Sequence, residues 1–195
     1  MIPPMTPLET LAAWIEEARE RGGLEADAMA LATATPDARP SVRVVYCRGI
    51  DTRGLRFFTN YESRKGTELQ RNPHAAVAFH WPVLNRQARV EGPVERLPAA
   101  ESDAYFHARP RGHQLSAWAS AQSRPVANLD VLRRRMVELT AEYEGQTVPR
   151  PAYWGGFLIR AAAVELWAQG SNRVHDRVRY ELDEEGAWTA ARLSP

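Results

Sequence analysis

Between Glu165 and Arg177 the chain reads ELWAQGSNRVHDR. A strand-like apolar run closes on Trp167 and breaks at Gly170, and Arg173, His175 and Arg177 follow within seven residues. In an extended segment the period of two puts all three on one face. A strand face that gathers positive charge after an aromatic is suited to an anion. The alternative is a solvated edge strand whose charges discourage sheet-to-sheet pairing.

Three other basic groups raise the same question. Ser63-Arg64-Lys65-Gly66 opens a predicted short helix, with Ser63 as cap and both cations in the first turn. There they oppose the helix dipole, unless an anion sits where the free backbone N–H groups point. Lys65 is the only lysine; every other basic residue is arginine, which marks a place where a compact ammonium suits better than a planar guanidinium. In SVRVVYCR (41–48), alternation sets Arg43, Val45 and Cys47 on one face and Val44, Tyr46 and Arg48 on the other. Arg43 and Arg48 then serve two separate anions, or one of them is a solvated strand-end charge. Tyr105 and Arg109 fall at i and i+4 on a helix that ends before Pro110, as a phosphate clamp or an ordinary surface pair.

The elements that must position these groups are short. An amphipathic helix is expected over 7–21, with Thr6 as cap and Gly22-Gly23 as its end. Strands are expected over 28–35, 41–48, 55–60, 74–81, 86–97, 156–160, 164–168, 178–182 and 188–193, and helices over 63–72, 98–108 and 128–143. Many short strands with few helices argue for a barrel. A small barrel is filled by its own side chains, so ligands belong on its outer surface or between two copies of the chain.

The 195 residues fit one domain, or one domain with a small appendage, and the formal charge of +1 does not single out nucleic acid or a membrane as partner. One cysteine, Cys47, rules out an internal disulfide framework. The N-terminus turns acidic and helical too soon for a signal peptide, and no apolar run reaches membrane-spanning length, so a cytoplasmic protein is the default. The five histidines show no metal-ligand spacing, and no P-loop, Rossmann fingerprint or nucleophile elbow occurs. Arg133-Arg134-Arg135, close to Glu138 and Glu142, reads as a solvated helix face.

Seven segments in register, RVVYCR (43–48), FFTNYESRKG (57–66), NRQARVEG (85–92), YFHARPR (105–111), SAQS (120–123), YWGGF (153–157) and ELWAQGSNRVHDR (165–177), resemble the pyridoxamine/pyridoxine 5′-phosphate oxidase family. The resemblance spans about 7–195 and implies a mainly β fold with peripheral helices (α+β), the FMN-binding split β-barrel. It implies a homodimer with two flavin sites at the interface, each built from both chains. Divided accordingly, 1–24 is an N-terminal helix, 25–150 the FMN-binding core with helical insertions, and 151–195 the strands that complete barrel, interface and active site.

By the same resemblance, FMN is held by Arg43, the backbone of Val44, Val45, Tyr46 and Cys47, and by Phe58, Thr59, Arg64 and Lys65. Gln87, Gln122, Ser123, Trp167 and Arg177 complete that set. Arg48, Tyr105, Arg109 and His113 match positions that hold the substrate phosphate, and Arg173, Val174 and His175 match the segment against the pyridine ring, with Arg173 and His175 as the catalytic pair. The chain departs from the family in having arginine at 48 for lysine and histidine at 113 for serine, and in lacking the N-terminal arm that lies over the substrate. The implied reaction oxidises C4′ of pyridoxamine or pyridoxine 5′-phosphate to pyridoxal 5′-phosphate, with O2 as acceptor and hydrogen peroxide released. Two rival readings are a related flavin oxidase of the phenazine-pathway type and a non-catalytic module holding FMN, haem or pyridoxal 5′-phosphate.

Overall fold

In the computed structural model, which describes residues 5–195, helix α1 (Pro7–Glu20) opens the fold. Thr6 accepts from the Glu9 N–H while the Glu9 carboxylate accepts from the Thr6 N–H, a reciprocal cap. Its buried stripe of Leu8, Leu11, Ile15 and Ala18 packs into the main core.

Strands β1 (Ala28–Ala34) and β2 (Pro40–Tyr46) form a hairpin, followed by the two-residue β3 (Ile50–Asp51) and by β4 (Gly54–Asn60). Helix α2 (Arg64–Arg71) leads to β5 (His74–Trp81) and the long β6 (Arg86–Arg96). Helices α3 (Ala99–Ala108), α4 (Arg111–Ala119) and α5 (Leu129–Glu142) intervene before β7 (Trp154–Arg160), β8 (Ala163–Ala168), β9 (Asp176–Leu182) and β10 (Trp188–Arg192).

Length lets β6 belong to two places at once. Arg86 to Glu91 lie between β5 and β8, while Val94 to Arg96 bend away to pair with β7. Strand β7 pairs with β4, and β5 continues through β1 to β2. Backbone bonds from Arg48 N to Arg56 O (2.7 Å) and from Arg56 N to Gly49 O (2.9 Å) tie the end of β2 to β4 and close the circuit. The sheet runs on past β6 through β8, β9 and β10 as a flap beyond the barrel. Leu31, Leu55, Phe57, Phe79, Val90 and Ile159 are fully buried and fill the barrel. Any ligand is thereby left to the outer surface. A second core of Phe106, Leu115, Leu139, Val148 and Trp154 seats the three helices against β7.

The strands and helices expected from periodicity occur with bounds shifted by no more than two residues. Helix α4 was not expected: Pro110 reads as a terminator, yet it stands at the N-cap of a new helix whose buried residues are only Leu115 and Ala117. The expectation that Arg173, His175 and Arg177 share a strand face is corrected. Ser171–Arg173 form a 3-10 turn, Asn172 and Arg173 adopt φ of 52° and 64°, and β9 begins only at Asp176. Bonds from Val174 N to Ser171 O (2.9 Å) and from His175 N to Arg173 O (3.0 Å) fold the segment back on itself. The period of two therefore does not apply before Arg177.

Candidate functional site

A cleft of about 840 Å³ runs along β2 between β4, the start of α2 and the helices α3 and α4. It brings together Arg43, Val44, Val45, Tyr46, Arg48, Phe58, Thr59, Arg64, Lys65, Tyr105, Arg109, His113, Gln122 and Ser123. All of these but His113 come from four of the segments quoted above, and one surface joins them.

At one end lies Lys65, 7% exposed, on the first turn of α2. Its Nζ donates to Thr59 Oγ1 (3.1 Å) and Ser63 Oγ (3.4 Å), and it has no carboxylate partner among the described residues. Burial, reinforced by the nearby Arg43 charge, pushes the ammonium down to about 8. A buried cation with neutral partners only is costly unless something else completes the site. Ser63 caps α2 by accepting from Gly66 N (3.3 Å), and no acidic residue occupies the first turn. Glycine at 66 is required by close approach: a Cβ there would stand 2.2 Å from Tyr61 O and 2.8 Å from Asn60 O. Gly66→Ala is therefore expected to lose about 1–3 kcal/mol of stability, read as a lower denaturant midpoint at unchanged slope.

Three residues further along α2 is Glu68, a buried carboxylate. Burial alone would raise its proton affinity. Hydrogen bonds from Ser41, Thr33 and Arg64, with the Arg43 charge, outweigh that and bring it to about 2. It is a fixed anion holding Arg43 (3.4 Å) and Arg64 (2.9 Å).

The other end is aromatic and cationic. Tyr105 stacks on Phe58 with ring centroids 3.9 Å apart, and Trp154 lies beyond at 5.8 Å from Phe58. The Arg109 guanidinium rests 4.6 Å over the Trp154 ring, its Nη1 buried without a hydrogen-bond partner among the described residues, and burial pulls its pKa below the usual value. Arg48 pairs with Asp27 and lies 4.6 Å over Tyr46. Strand β2 ends at Tyr46, so the alternation expected over 41–48 does not extend to Arg48; Arg43 is held by Glu68 and Arg48 by Asp27, in two different groups. His113, in the first turn of α4, faces the same end.

The remaining candidates lie elsewhere. Gln87, Trp167 and Arg177 form one cross-strand row over β6, β8 and β9. Arg177 holds Glu165 through Nε (3.0 Å) and Nη2 (2.9 Å) and donates from Nη1 to Ser194 O (2.9 Å). Trp167 stands 4.6 Å from the His175 ring, whose Nδ1 accepts from Gly170 N (3.3 Å). A neutral ring in that contact carries its proton on Nε2. A Cβ at 170 would sit 1.8 Å from Val174 O, so glycine is what lets this turn close. Arg173 and Val174 are exposed on it. None of Gln87, Trp167, Arg173, Val174, His175 and Arg177 lines the cleft in its own chain. Cys47 lines neither region; its buried thiol is pushed up to about 11 by burial.

Sequence reasoning missed Trp154, Glu68, Ser116 and Ser120 in or beside the cleft, and the buried Glu165. Trp154 was within reach, since YWGGF had been singled out without assigning its aromatic a role. The two glutamates carry no local signal.

Comparison with known proteins gives the family and the fold. Residues 15–143 match the family described as pyridoxamine 5′-phosphate oxidase, and residues 154–195 match the pyridoxine 5′-phosphate oxidase C-terminal dimerisation region. The chain is 51% identical over 191 residues to a pyridoxine/pyridoxamine 5′-phosphate oxidase of Salinibacter ruber, covering 97% of this chain and 89% of that one. It is 46% identical over 195 residues to the enzyme of the same description in Myxococcus xanthus, covering 100% and 94%. Among solved structures, PhzG of Burkholderia lata in complex with tetrahydrophenazine-1-carboxylic acid is similar at a TM-score of 0.93 and 34% identity, covering 100% of this chain and 95% of that one. An FMN-binding protein of Nostoc punctiforme shares the fold at a TM-score of 0.78 and 17% identity, covering 98% and 99%.

Proposed function

The chain belongs to the pyridoxamine 5′-phosphate oxidase family of oxidoreductases, and on that premise we propose that it oxidises pyridoxine or pyridoxamine 5′-phosphate to pyridoxal 5′-phosphate with FMN and O2. The observation that carries this reading is the presence of two separate cationic groups in one cleft. Arg43, Arg64 and Lys65 sit at one end, and Arg48 and Arg109 with Tyr105 and His113 at the other. Cofactor and substrate each bear a phosphate; the Lys65 ammonium, bonded to hydroxyls but to no carboxylate among the described residues, and Arg109 Nη1, without a partner among them, are where two such anions would be received.

Held by Arg43, Arg64 and Lys65, FMN would supply the two-electron oxidation of substrate C4′, with O2 as final acceptor and hydrogen peroxide as its product. For the alcohol, one O2 yields aldehyde and peroxide; for the amine, one water is also consumed and ammonia leaves. The chain's own residues bind and orient. Arg43, Arg64 and Lys65 hold the cofactor phosphate, with Thr59, Gln122 and Ser123 beside it. Arg48, Tyr105, Arg109 and His113 hold the substrate phosphate.

Trp167 and Arg177, with Gln87, would reach the flavin from a second chain, and Arg173, Val174 and His175 would lie over the substrate ring. Support for a homodimer comes from the match of 154–195 to a dimerisation region and from Val42 and Val44, 69% and 66% exposed on the outer face of β2. With Nδ1 engaged by Gly170 N, His175 offers Nε2–H as a donor to a substrate oxygen or nitrogen rather than a base at that atom.

A second reading is favoured by the 34% identity over the full chain to PhzG, solved with a carboxylic acid rather than a phosphate ester. Peroxide release by FMN-loaded protein separates the two. Turnover of both phosphorylated vitamers is expected; turnover of a reduced phenazine acid, with neither vitamer oxidised, would establish the second reading.

A further inference from the structure

Among the described residues, four donors and no acceptor surround the Glu68 side chain. Thr33 Oγ1 (2.5 Å), Ser41 Oγ (2.6 Å) and Arg43 Nη2 (3.4 Å) reach Oε2, while Arg64 Nε (2.9 Å) reaches Oε1. Each hydroxyl directs its single proton to the carboxylate, so its lone pairs turn outward and accept from Arg43. Nη1 lies 2.5 Å from Thr33 Oγ1, and Nη2 lies 2.6 Å from Ser41 Oγ. Arg43 Nη1 also reaches the Leu31 carbonyl at 3.3 Å. One residue of α2 thereby fixes a guanidinium on β2, through hydroxyls on β1 and β2, and a second guanidinium on its own helix.

We propose that Glu68 is the positioning residue of the phosphate cradle: its carboxylate, inside a shell of donors only, sets the places of Arg43 and Arg64. Against the three cations Arg43, Arg64 and Lys65 it leaves two net positive charges, the complement of a dianionic phosphate monoester. This rests on the flavin-phosphate reading above. Lys65 is left free of Glu68, bonded among the described residues only to the Thr59 and Ser63 hydroxyls, so the ligand rather than the protein neutralises it. Only an ionised carboxylate suits the position. Glutamine keeps the size but turns an NH2 group toward Arg64 or toward the two hydroxyls, where every neighbour already donates.

The test compares FMN with riboflavin, which lacks the phosphate, by fluorescence titration of flavin-free wild type and Glu68→Gln. Wild type is expected to prefer FMN at least hundredfold. In Glu68→Gln, FMN affinity is expected to fall at least tenfold with riboflavin affinity unchanged, so the preference contracts by that factor. An unchanged preference, or equal losses for both flavins, overturns the role of Glu68. Should Glu68→Gln not fold, Ser41→Ala removes one hydroxyl relay and leaves the carboxylate. It is expected to contract the preference at least threefold, and an unchanged preference there also overturns the role. A wild type that does not distinguish the two flavins removes the phosphate cradle itself, which is a different failure from the loss of Glu68 alone.

Discussion

Lys65→Met is expected to weaken FMN binding at least hundredfold and at the same time to make the flavin-free protein more stable. The two effects have one cause. Moving the ammonium from 10.5 to about 8 corresponds to about 3 kcal/mol of unfavourable burial that methionine avoids. Loss of some packing around the stem reduces the gain, so about 1–3 kcal/mol in the denaturant midpoint of apoprotein is expected. Bound FMN reverses the ranking, because a ligand that binds only the native state stabilises wild type in proportion to its affinity.

The pH dependence follows with a definite sign. Below about pH 8, Lys65 is charged in both folded and unfolded chains, and the whole cost of burying it stands. Between about 8 and 10.5 the unfolded chain keeps a proton that the folded chain has released, so the Lys65 contribution to apoprotein stability improves as pH rises. FMN affinity moves the other way. The phosphate holds the amine protonated, binding takes up a proton above about pH 8, and affinity falls by up to about tenfold per unit. Lys65→Met should flatten this limb of the titration. A limb of equal slope in the variant would remove Lys65 from the phosphate site.

Arg173→Leu is expected to lower kcat/KM for the phosphorylated vitamers by about 10²–10³, or about 3–4 kcal/mol of transition-state stabilisation, with FMN affinity within about threefold of wild type. Arg173 stands on the exposed turn at a φ of 64°, and Asn172 before it at 52°. Such backbone conformations in residues other than glycine cost of order 1–3 kcal/mol each and persist where the surroundings impose them. Leucine at 173 meets the same backbone cost as arginine, so the fold is held constant while the guanidinium is removed. Wild-type kinetics in this variant would exclude Arg173 from the reaction.

Regular periodicity carried most of the fold. The apolar stripe of α1, the alternation in β2 and the run of β5 could be read because burial repeats along them. Helix α4 escaped because nine residues with two buried side chains show no periodic face, and because Pro110 marks either an end or a beginning. The turn at 171–175 escaped for a different reason. Its path depends on Gly170, on positive φ at Asn172 and Arg173, and on a side-chain contact at His175, none of which shows in a pattern of polar and apolar residues.

Site residues divide in the same way. Lys65 and Arg64 were legible because basic side chains at a helix start conflict with local electrostatics and demand an explanation. Glu68 and Glu165 were not. A single glutamate among polar helix residues or within a strand carries no partner in its local sequence; tertiary structure buries it against arginines 25 residues away at Arg43 or 76 residues away at Arg89. The motif resemblance assigned Arg43, Arg64 and Lys65 together with Trp167 and Arg177 to one flavin site, and the chain holds these two groups on separate surfaces.

That separation has a genetic consequence. If the cleft of one protomer is completed by the flap of another, Lys65→Met and Arg173→Leu damage different contributors to each catalytic unit. Two inactive parents, mixed and allowed to exchange subunits, then produce hybrids in which one unit inherits both lesions and the other inherits neither. Half of the pairs are hybrids at equal mixing, so about a quarter of all units should recover full turnover. Complementation of this kind does not arise when one polypeptide supplies every group that its own substrate meets.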